Sequence, residues 1–209
     1  MITREKEIKV LLKKEEYEKI KEILINKYKD FKTYIQVNYY YDTAHYDLIK
    51  AGHTLRIRQK EDGLTLEYKS GKRIIDGVRV CDEYSEDMSE LPMRIPFPEI
   101  KEIPCEYIGN LITERTDFKI KEDFTRAKNQ REESLDFSEV STKVKGNFII
   151  SLDKNFYLGE TDYEIEIEFE GESESLGLEN LLTELGIRNR EVFLGKYSRF
   201  IHKLNQFKI

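Results

Sequence analysis

The sequence has few of the residues that build disulfide-bonded, zinc-binding or membrane-spanning proteins. Only two cysteines occur among 209 residues, Cys81 and Cys105, and they form no Cys-x-x-Cys pair. We therefore expect reduced, packed thiols instead of a disulfide or a zinc site. No stretch approaches the ~20 apolar residues of a membrane helix, and residues 1–7 lack the apolar core of a signal peptide. These absences predict a soluble cytoplasmic protein without a membrane partner.

Glycine-rich phosphate loops and an excess of positive charge are missing as well. The formal net charge is −6, which argues against a general nucleic-acid-binding surface. Neither GxxxxGK[ST] nor GxGxxG occurs, so a bound phosphate would not be held by such a loop. Charge itself is abundant, because Asp, Glu, Lys and Arg make up 36% of the chain, against roughly 25% in ordinary soluble domains. The positions of these charges are therefore the main clue to function.

Most of the chain has the pattern of β-strands. Period-two alternation and β-prone residues predict strands over 5–12, 33–42, 54–60, 63–70, 76–86, 111–121, 146–154 and 161–170. Helices are predicted over 14–28, 99–109, 174–185 and 191–207, with a short turn or helix at 43–51. The three prolines of 89–98 exclude a strand in the middle of a sheet there. Residues 121–145 are either an exposed insertion or a long hairpin. One domain over 1–209 is expected, an antiparallel sheet or barrel with helices outside.

Charged residues occupy alternate positions in the predicted strands, so within each strand they share one face. Glu5, Glu7 and Lys9, for example, lie opposite Ile8 and Val10. The remaining polar faces are Gln36, Asn38, Tyr40 and Asp42; Arg56 and Arg58; Thr65, Glu67 and Lys69; and Glu164, Glu166 and Glu168. For a strand taken alone, such a face is most simply exposed to solvent. The grouping of like charges within a strand instead favours faces that converge on a ligand.

Converging carboxylates require a cation between them. Two of them ~4 Å apart at an effective dielectric of ~20 repel by roughly 4 kcal/mol. Their oxygen atoms suit Mg²⁺ or Mn²⁺, and no His/Cys cluster suggests another metal. Basic faces opposite acidic ones then favour a polyanion that Arg and Lys bind directly and Glu binds through metal. A polyphosphate fits this description.

The ordered motifs resemble the CYTH domain superfamily, the triphosphate tunnel metalloenzymes, and most closely its small stand-alone bacterial members. Glu5, Glu7 and Lys9 match the Glu-x-Glu-x-Lys signature at the start of the first strand. The later matches, in chain order, are Gln36–Thr43, Leu55-Arg56-Ile57-Arg58, Glu67-Tyr68-Lys69, Arg115, Leu152-Asp153, Tyr163-Glu164-Ile165-Glu166, and the pair Lys196 and Arg199. The resemblance extends over nearly the whole chain.

The resemblance implies an α+β fold, a closed eight-stranded antiparallel β-barrel with a polar lumen and helices packed outside. It implies metal-dependent hydrolysis of inorganic tripolyphosphate or of an organic or nucleoside triphosphate. The implied metal ligands are Glu5, Glu7, Asp153, Glu164, Glu166 and Glu168. The implied phosphate-binding residues are Lys9, Arg56, Arg58, Lys69, Arg115, Lys196 and Arg199. Those assigned to catalysis are Glu5, Glu7, Lys9, Arg58 and Lys69.

Three other interpretations stay open at this point. A class IV-type adenylyl cyclase would use the same tunnel and metals to make cyclic AMP from ATP. A non-catalytic module would bind polyphosphate or a nucleotide without turnover, and a β-rich scaffold would only expose its charged faces to solvent. The sequence does not distinguish between the possible triphosphates, between Mg²⁺ and Mn²⁺, or between a monomer and a homodimer.

Overall fold

The computed structural model describes residues 2–75, 77–97, 103–125, 143–169, 175–187 and 194–207. This part of the chain contains nine strands and four helices. The strands are β1 (Ile2–Leu12), β2 (Phe31–Asp42), β3 (Thr54–Lys60), β4 (Gly63–Ile75), β5 (Val78–Met88), β6 (Arg94–Pro96), β7 (Pro104–Thr125), β8 (Lys143–Tyr157) and β9 (Glu160–Phe169). The helices are α1 (Lys14–Lys27), α2 (Asp47–Lys50), α3 (Ser175–Glu184) and α4 (Lys196–Asn205).

Eight of the strands close into an antiparallel barrel. Hydrogen-bonded neighbours follow the order β2-β3-β4-β5-β1-β9-β8-β7, and β7 pairs back with β2 from Phe31 to Asp42. The ninth strand, β6, only extends the sheet beside the start of β7, where Ile95 faces Cys105. Pro96 is therefore confined to an edge, where a missing N–H removes no ladder bond. The predicted eight-stranded barrel is confirmed.

Apolar strand faces point outward and are covered by helices. In α1, Tyr17, Ile20 and Leu24 recur at helical spacing and are buried, and together with α3 they cover one wall of the barrel around Ile150 and Ile167. A second cluster, which includes Tyr41, Leu48, Leu55 and Ile57, lies outside β2 and β3. Because helices, together with β6, bury these faces, the polar faces are turned toward the barrel interior.

Helix α4 closes one end of the lumen. Its residues Tyr197, Phe200 and Ile201 pack against Tyr40 and Leu111. Tyr40 lines the interior cavity, and Leu111 pairs directly with the inward residue Asn38. The apolar side of α4 therefore packs inside the barrel at the end where the inward residues, Tyr40 and Leu111, are themselves aromatic or apolar.

The predicted helix at 99–109 is wrong where the structure describes it. Ile103 lies in a bend, and β7 begins at Pro104. Residues 104–109 pair with both β6 and β2, so the backbone hydrogen bonds of the closed sheet override the local pattern. Residues 99–102 of that prediction lie outside the described residues.

Other boundaries extend beyond the sequence predictions. Strand β4 continues to Ile75 instead of ending at residue 70. For residues 121–145, the hairpin alternative is confirmed as far as the chain is described, because β7 and β8 stay paired to Thr125 and Lys143; residues 126–142 lie outside the described residues. The start of the predicted helix 191–207 also lies outside them, and α4 begins at Lys196.

Both cysteines are free and buried, as predicted. Among the helices of the described residues, none combines the length and the apolar character needed to cross a bilayer.

Candidate functional site

The inward strand faces meet around a cavity of about 280 Å³. Glu7 on β1, Arg58 on β3 and Glu166 on β9 all line it, so the predicted convergence of the charged faces is confirmed. The cationic lining residues are Lys9, Arg56, Arg58, Lys60, Lys69, Lys72, Arg79, Arg115 and Lys196, and the lining carboxylates are Glu5, Glu7, Glu83, Asp117, Glu166 and Glu168. Nine cations against six carboxylates give the cavity a positive surplus in a chain whose net charge is −6. Such a surplus attracts anions.

Strand β1 brings the first acidic residues into the cavity. It lies between β5 and β9, with Glu7 directly opposite Glu168 and Lys9 opposite Glu166. Lys9 Nζ lies 2.6 Å from Glu166 Oε1 and 3.3 Å from a carboxylate oxygen of Glu7. The Glu-x-Glu-x-Lys sequence thus becomes an alternation of acid and base along one wall.

Glu5, Glu7 and Glu168 form the acidic cluster that lines the cavity. One carboxylate oxygen from each can be chosen so that all three lie within 4.8 Å of one another. Within the described chain Glu168 has no ion pair, and burial together with the charges of Glu5 and Glu166 raises its pKa to about 7. A divalent cation would relieve this crowding, and three carboxylates are the hard oxygen donors that Mg²⁺ or Mn²⁺ prefers. The cluster therefore fits such a metal.

Asp153, Glu164 and Glu166 form a second, deeper cluster with the same spacing. All three are buried, and Asp153 and Glu164 do not line the cavity. Lys196 of α4 contacts all three: its Nζ lies 2.7 Å from Asp153 and 2.6 Å from Glu166, and it also contacts Glu164. The six predicted metal ligands thus fall into two groups. Lysines contact Glu5 and Glu7 in the first group, whereas Glu168 has no ion pair among the described residues. In the second group, internal cations contact all three carboxylates.

Arg115 is the other cation of the deeper cluster. Its Nε and Nη2 donate to the two oxygens of Asp153 at 2.7 and 2.6 Å, and Nη2 also donates to Glu166 at 2.6 Å. Burial alone would lower the pKa of the guanidinium, but the charges of Asp153 and Glu166 hold it well above its usual range. Arg115 is therefore a fixed positive charge at the cavity wall.

Glu67 holds the two arginines of β3. Arg56 Nε lies 2.7 Å from Glu67 Oε2, and Arg58 Nη1 lies 3.1 Å from Oε1. Although burial alone would raise the pKa of Glu67, both guanidinium groups hold it below its usual range. The alternation of residues predicts that Glu67 lies on the polar face of β4 but indicates no role for it. Since its carboxylate lies between Arg56 and Arg58, it positions both.

Lys60, Lys72 and Arg79 also line the cavity, although sequence analysis did not assign them to the site. Lys72 lies beyond residue 70, where the predicted strand ends, and its side chain is exposed at the rim of the cavity. In the structure a β-bulge interrupts the pairing of β4 with β5 between Ser70 and Arg73, with Gly71 at φ 62°. A glycine inside a strand pattern is the sequence signal for such a bulge.

Burial and neighbouring positive charge lower the pKa values of several lining cations. Burial and the charge of Arg56 lower the pKa of Arg58, and burial and the charge of Arg58 lower the pKa of Lys60. Burial, Arg79 and Lys9 likewise lower the pKa of Lys72. Each of these cations would be stabilised by an anion in the cavity.

Arg199 lies apart from the other predicted phosphate-binding residues. It does not line the cavity; its Nε lies 2.8 Å from Asp162 and its Nη2 2.6 Å from Glu164. Lys9, Arg56, Arg58, Lys69, Arg115 and Lys196 all line it.

Buried polar atoms without a partner lie on the inward face of β2. The hydroxyl of Tyr40, the amide nitrogen of Asn38 and both amide atoms of Gln36 lack a hydrogen-bond partner in the described part of the chain. Buried polar groups in proteins almost always have one. In a polar lumen that partner is solvent or a ligand.

Comparisons with known proteins agree with this architecture. The chain matches the family model of the CYTH domain over residues 3–192. A Bacillus halodurans protein described as a candidate adenylate cyclase superposes with a TM-score of 0.63 at 22% identity, covering 95% of this chain and 98% of that one. A Hippeastrum protein described as a candidate adenylyl cyclase with a dominant triphosphatase activity has the same TM-score and identity, covering 95% of each chain.

A Pyrococcus horikoshii protein is similar with a TM-score of 0.55 at 17% identity, covering 96% of this chain and 98% of that one. At such identities the likeness to solved structures shows the fold alone. The comparison with curated proteins finds no match.

Proposed function

This chain belongs to the CYTH domain family, and from that membership we propose that it is a divalent-metal-dependent triphosphatase acting inside the barrel. One observation carries the proposal: nine cations and six carboxylates line one cavity, with three of the carboxylates grouped at metal-binding distance. Positive charge without a metal cluster would suit a simple anion carrier. Positive charge together with a metal cluster suits phosphoryl transfer to water, which needs both residues that bind the phosphates and a metal.

The basic residues bind and orient the phosphates. Glu67 contacts both Arg56 and Arg58. Within the described residues these contacts leave other guanidinium N–H groups available, which suits two-point contact with phosphate oxygens. Lys9 and Lys69 supply compact charges from β1 and β4. Arg115 and Lys196 line the same cavity and bring charge from β7 and α4.

Glu5, Glu7 and Glu168 would hold the metal ion. Mg²⁺ or Mn²⁺, when bound, offsets charge on the phosphate oxygens and favours attack by water. Lys69 contacts Glu5 and lies 3.2 Å from Glu83, so it links the acidic cluster to the phosphate-binding wall. Asp117 and Glu83 line the cavity outside both acidic clusters and are the carboxylates that can orient the attacking water.

The aromatic residues favour inorganic tripolyphosphate over a nucleotide. Tyr197 stacks on Tyr40 with ring centroids 4.7 Å apart. The ammonium groups of Lys32 and Lys60 lie 5.6 and 5.7 Å from the centroid of the Tyr34 ring. Stacking or cation–π contacts already engage Tyr34, Tyr40 and Tyr197, which favours a ligand without a base.

A phosphate-release screen tests the proposal. Tripolyphosphate, thiamine triphosphate and ATP are each incubated with Mg²⁺ or Mn²⁺, and orthophosphate is measured. We expect release from tripolyphosphate that requires metal and falls at least about a hundredfold in Glu7→Gln. Glu114→Gln is the matched control, because that carboxylate does not line the cavity and its one ion pair within the described residues is with Lys21, at 3.6 Å.

The same screen distinguishes the competing functions. Cyclic AMP with pyrophosphate from ATP would identify a cyclase and contradict the proposal. Binding of tripolyphosphate without turnover under any metal would identify a binding module. Full activity in Glu7→Gln would exclude the metal assignment.

A further inference from the structure

A second cavity, the outer pocket, opens between β7, the turn that joins β8 to β9, and α4, and it has a volume of about 470 Å³. Ile112 and Phe156 face each other across β7 and β8, and both line it. Arg115 and Ser151 on the same strands line the lumen, so alternation places Ile112 and Phe156 on the outward side of the sheet. Among the described residues, none lines both cavities. The outer pocket is therefore separate from the proposed active site.

Apolar side chains form most of the outer pocket. They include Ile112, Phe156, Leu158, Phe200 and Leu204. Ile112 remains 38% exposed, so part of this apolar surface is open to solvent. Small-molecule sites in proteins have volumes of roughly 300–1,000 Å³ and a mainly apolar lining with a few polar groups. The outer pocket therefore suits the apolar body of a small molecule.

Leu158 forms one wall of the outer pocket although its backbone is strained. It has φ 48° and is followed by Gly159 at φ 79° in the two-residue turn between Tyr157 and Glu160. Turns with two positive φ values favour Asn, Asp or Gly at the first position, because a β-carbon crowds the backbone there. The Leu158 side chain packs against the cluster around Phe200 of α4. Since backbone strain of this kind is concentrated at ligand sites, it points to a ligand independently of the shape of the pocket.

Lys154 gives the outer pocket a single positive charge at its edge. Its Nζ lies 5.1 Å from the centroid of the Phe156 ring, and that ring lines the pocket. Within the described part of the chain Lys154 has no ion pair. Glu160 is the acidic residue that lines the pocket, and it already forms an ion pair with Lys203. One cation beside an apolar pocket is complementary to a ligand with an apolar body and a single negative charge.

We infer that the outer pocket is a binding site for an apolar monocarboxylate, whose apolar body packs against Leu158 and Phe200 and whose carboxylate pairs with Lys154. This inference does not depend on the proposed function, because the site lies outside the lumen. The ligand would contact α4 through Phe200, whose ring centroid lies 5.6 Å from that of Tyr40. A ligand that binds only the folded chain raises its melting temperature.

Calorimetric titration of the full chain with octanoate and with 1-octanol tests the site and the charge of its ligand. Both probes have the same chain length, and EDTA without any triphosphate keeps the lumen out of the measurement. We expect one saturable octanoate site per chain, a higher melting temperature, and 1-octanol binding about fivefold weaker, the upper range for a part-exposed ion pair. Lys154→Met should abolish this preference. Lys32→Met is the control, because that ammonium lies 5.6 Å from the Tyr34 ring centroid, outside the pocket.

A second pair of variants separates binding from folding. Leu158→Asn removes an apolar wall of the pocket while asparagine tolerates the left-handed backbone, so octanoate should bind at least tenfold more weakly. Tyr46→Asn is the matched control: Tyr46 also has a positive φ, 58°, and packs against the same cluster, but it does not line the pocket. Without ligand, the melting temperature of Leu158→Asn should fall no further than that of Tyr46→Asn, and Tyr46→Asn should bind octanoate as the unaltered chain does.

Each result decides one part of the inference. Octanoate binding that does not saturate, or that is unchanged in Leu158→Asn, would overturn the site. Equal affinity for octanoate and 1-octanol in the unaltered chain, or a preference that survives in Lys154→Met, would overturn the carboxylate as the ligand's charged group. Because neither metal nor triphosphate is present, a chain that hydrolyses nothing would overturn the triphosphatase and leave this site standing.

Discussion

Glu7 and Asp153 are both buried carboxylates in the barrel, and their surroundings differ. Glu7 lines the cavity beside Glu5 and Glu168, with Lys9 at 3.3 Å. Asp153 is fully buried away from the cavity and accepts hydrogen bonds from Arg115 and Lys196. The first carboxylate is available to a ligand, whereas the second neutralises internal cations. Substitution should therefore affect activity at one residue and folding at the other.

Asp153→Asn should lower the free energy of unfolding by about 3–5 kcal/mol, the usual cost of removing one member of a buried ion pair. Arg115 and Lys196 would keep their charges with fewer acceptors. The measurement is guanidinium-induced unfolding of the metal-free chain. Glu114→Gln provides the baseline for a half-buried carboxylate outside the cavity, and a midpoint equal to that baseline would show that Asp153 has no such role.

At the scale of elements, α4 depends on a glycine in the strand it packs against. Gly109 of β7 has φ 155° and lies opposite Tyr40, where a register shift interrupts the pairing of β2 with β7. A β-carbon on Gly109 would lie 2.5 Å from Phe200 Cζ. Only a residue without a side chain lets α4 approach closely enough to place Lys196 and Tyr197 in the cavity.

Gly109→Ala should therefore displace α4, lowering the free energy of unfolding by about 1–3 kcal/mol and weakening tripolyphosphate binding. Both effects are measured on the same preparation by chemical unfolding and calorimetry. Gly159→Ala is the control: its φ is 79° and nothing lies within 4 Å of an added β-carbon, so only backbone strain is introduced. Equal tripolyphosphate affinity in the two variants would contradict the dependence on α4.

At the scale of the whole molecule, the chain has a negative net charge whereas the lining of its lumen is positive. The net charge is −6, yet the cavity lining carries more cations than carboxylates. Burial, together with repulsion among these cations, lowers the pKa values of Arg58, Lys60 and Lys72. An anion that fits the lumen removes this repulsion and should stabilise the folded state.

Tripolyphosphate should accordingly raise the melting temperature even in EDTA. At a hundredfold excess over its dissociation constant, a ligand specific for the folded state adds about 2.7 kcal/mol to the free energy of unfolding. Sodium chloride at the same ionic strength is the control, because it screens charge without occupying the site. Equal increases in melting temperature with the two salts would show that the cavity acts only as a non-specific positive surface.

Some structural features follow from local sequence because alternation within a strand is a property of consecutive residues. The charged pattern of Glu5, Glu7 and Lys9 predicts one polar face, and the apolar residues between them predict a face that helices cover. The same alternation predicts that Arg56 and Arg58 share one face of their strand. Helix α1 is also predictable from the sequence, since Tyr17, Ile20 and Leu24 recur at helical spacing.

Other features depend on which strands pair and in which register. Glu168 joins Glu5 and Glu7 because β1 pairs with β9 so that Glu7 faces Glu168. Glu164, Glu166 and Glu168 share one face of β9, yet Glu164 and Glu166 belong to the deeper cluster with Lys196. Nothing in the local pattern distinguishes these three glutamates.

The sequence by itself determined that acid and base alternate on strand faces, and with them the fold class. Tertiary structure alone decided the strand at 104–109, the inward turn of Lys72 at the Gly71 bulge, and the end of the lumen that α4 closes. The physical reason is that side-chain alternation needs only neighbouring residues. Register, bulges and barrel closure are set by hydrogen bonds and packing between segments far apart in the chain.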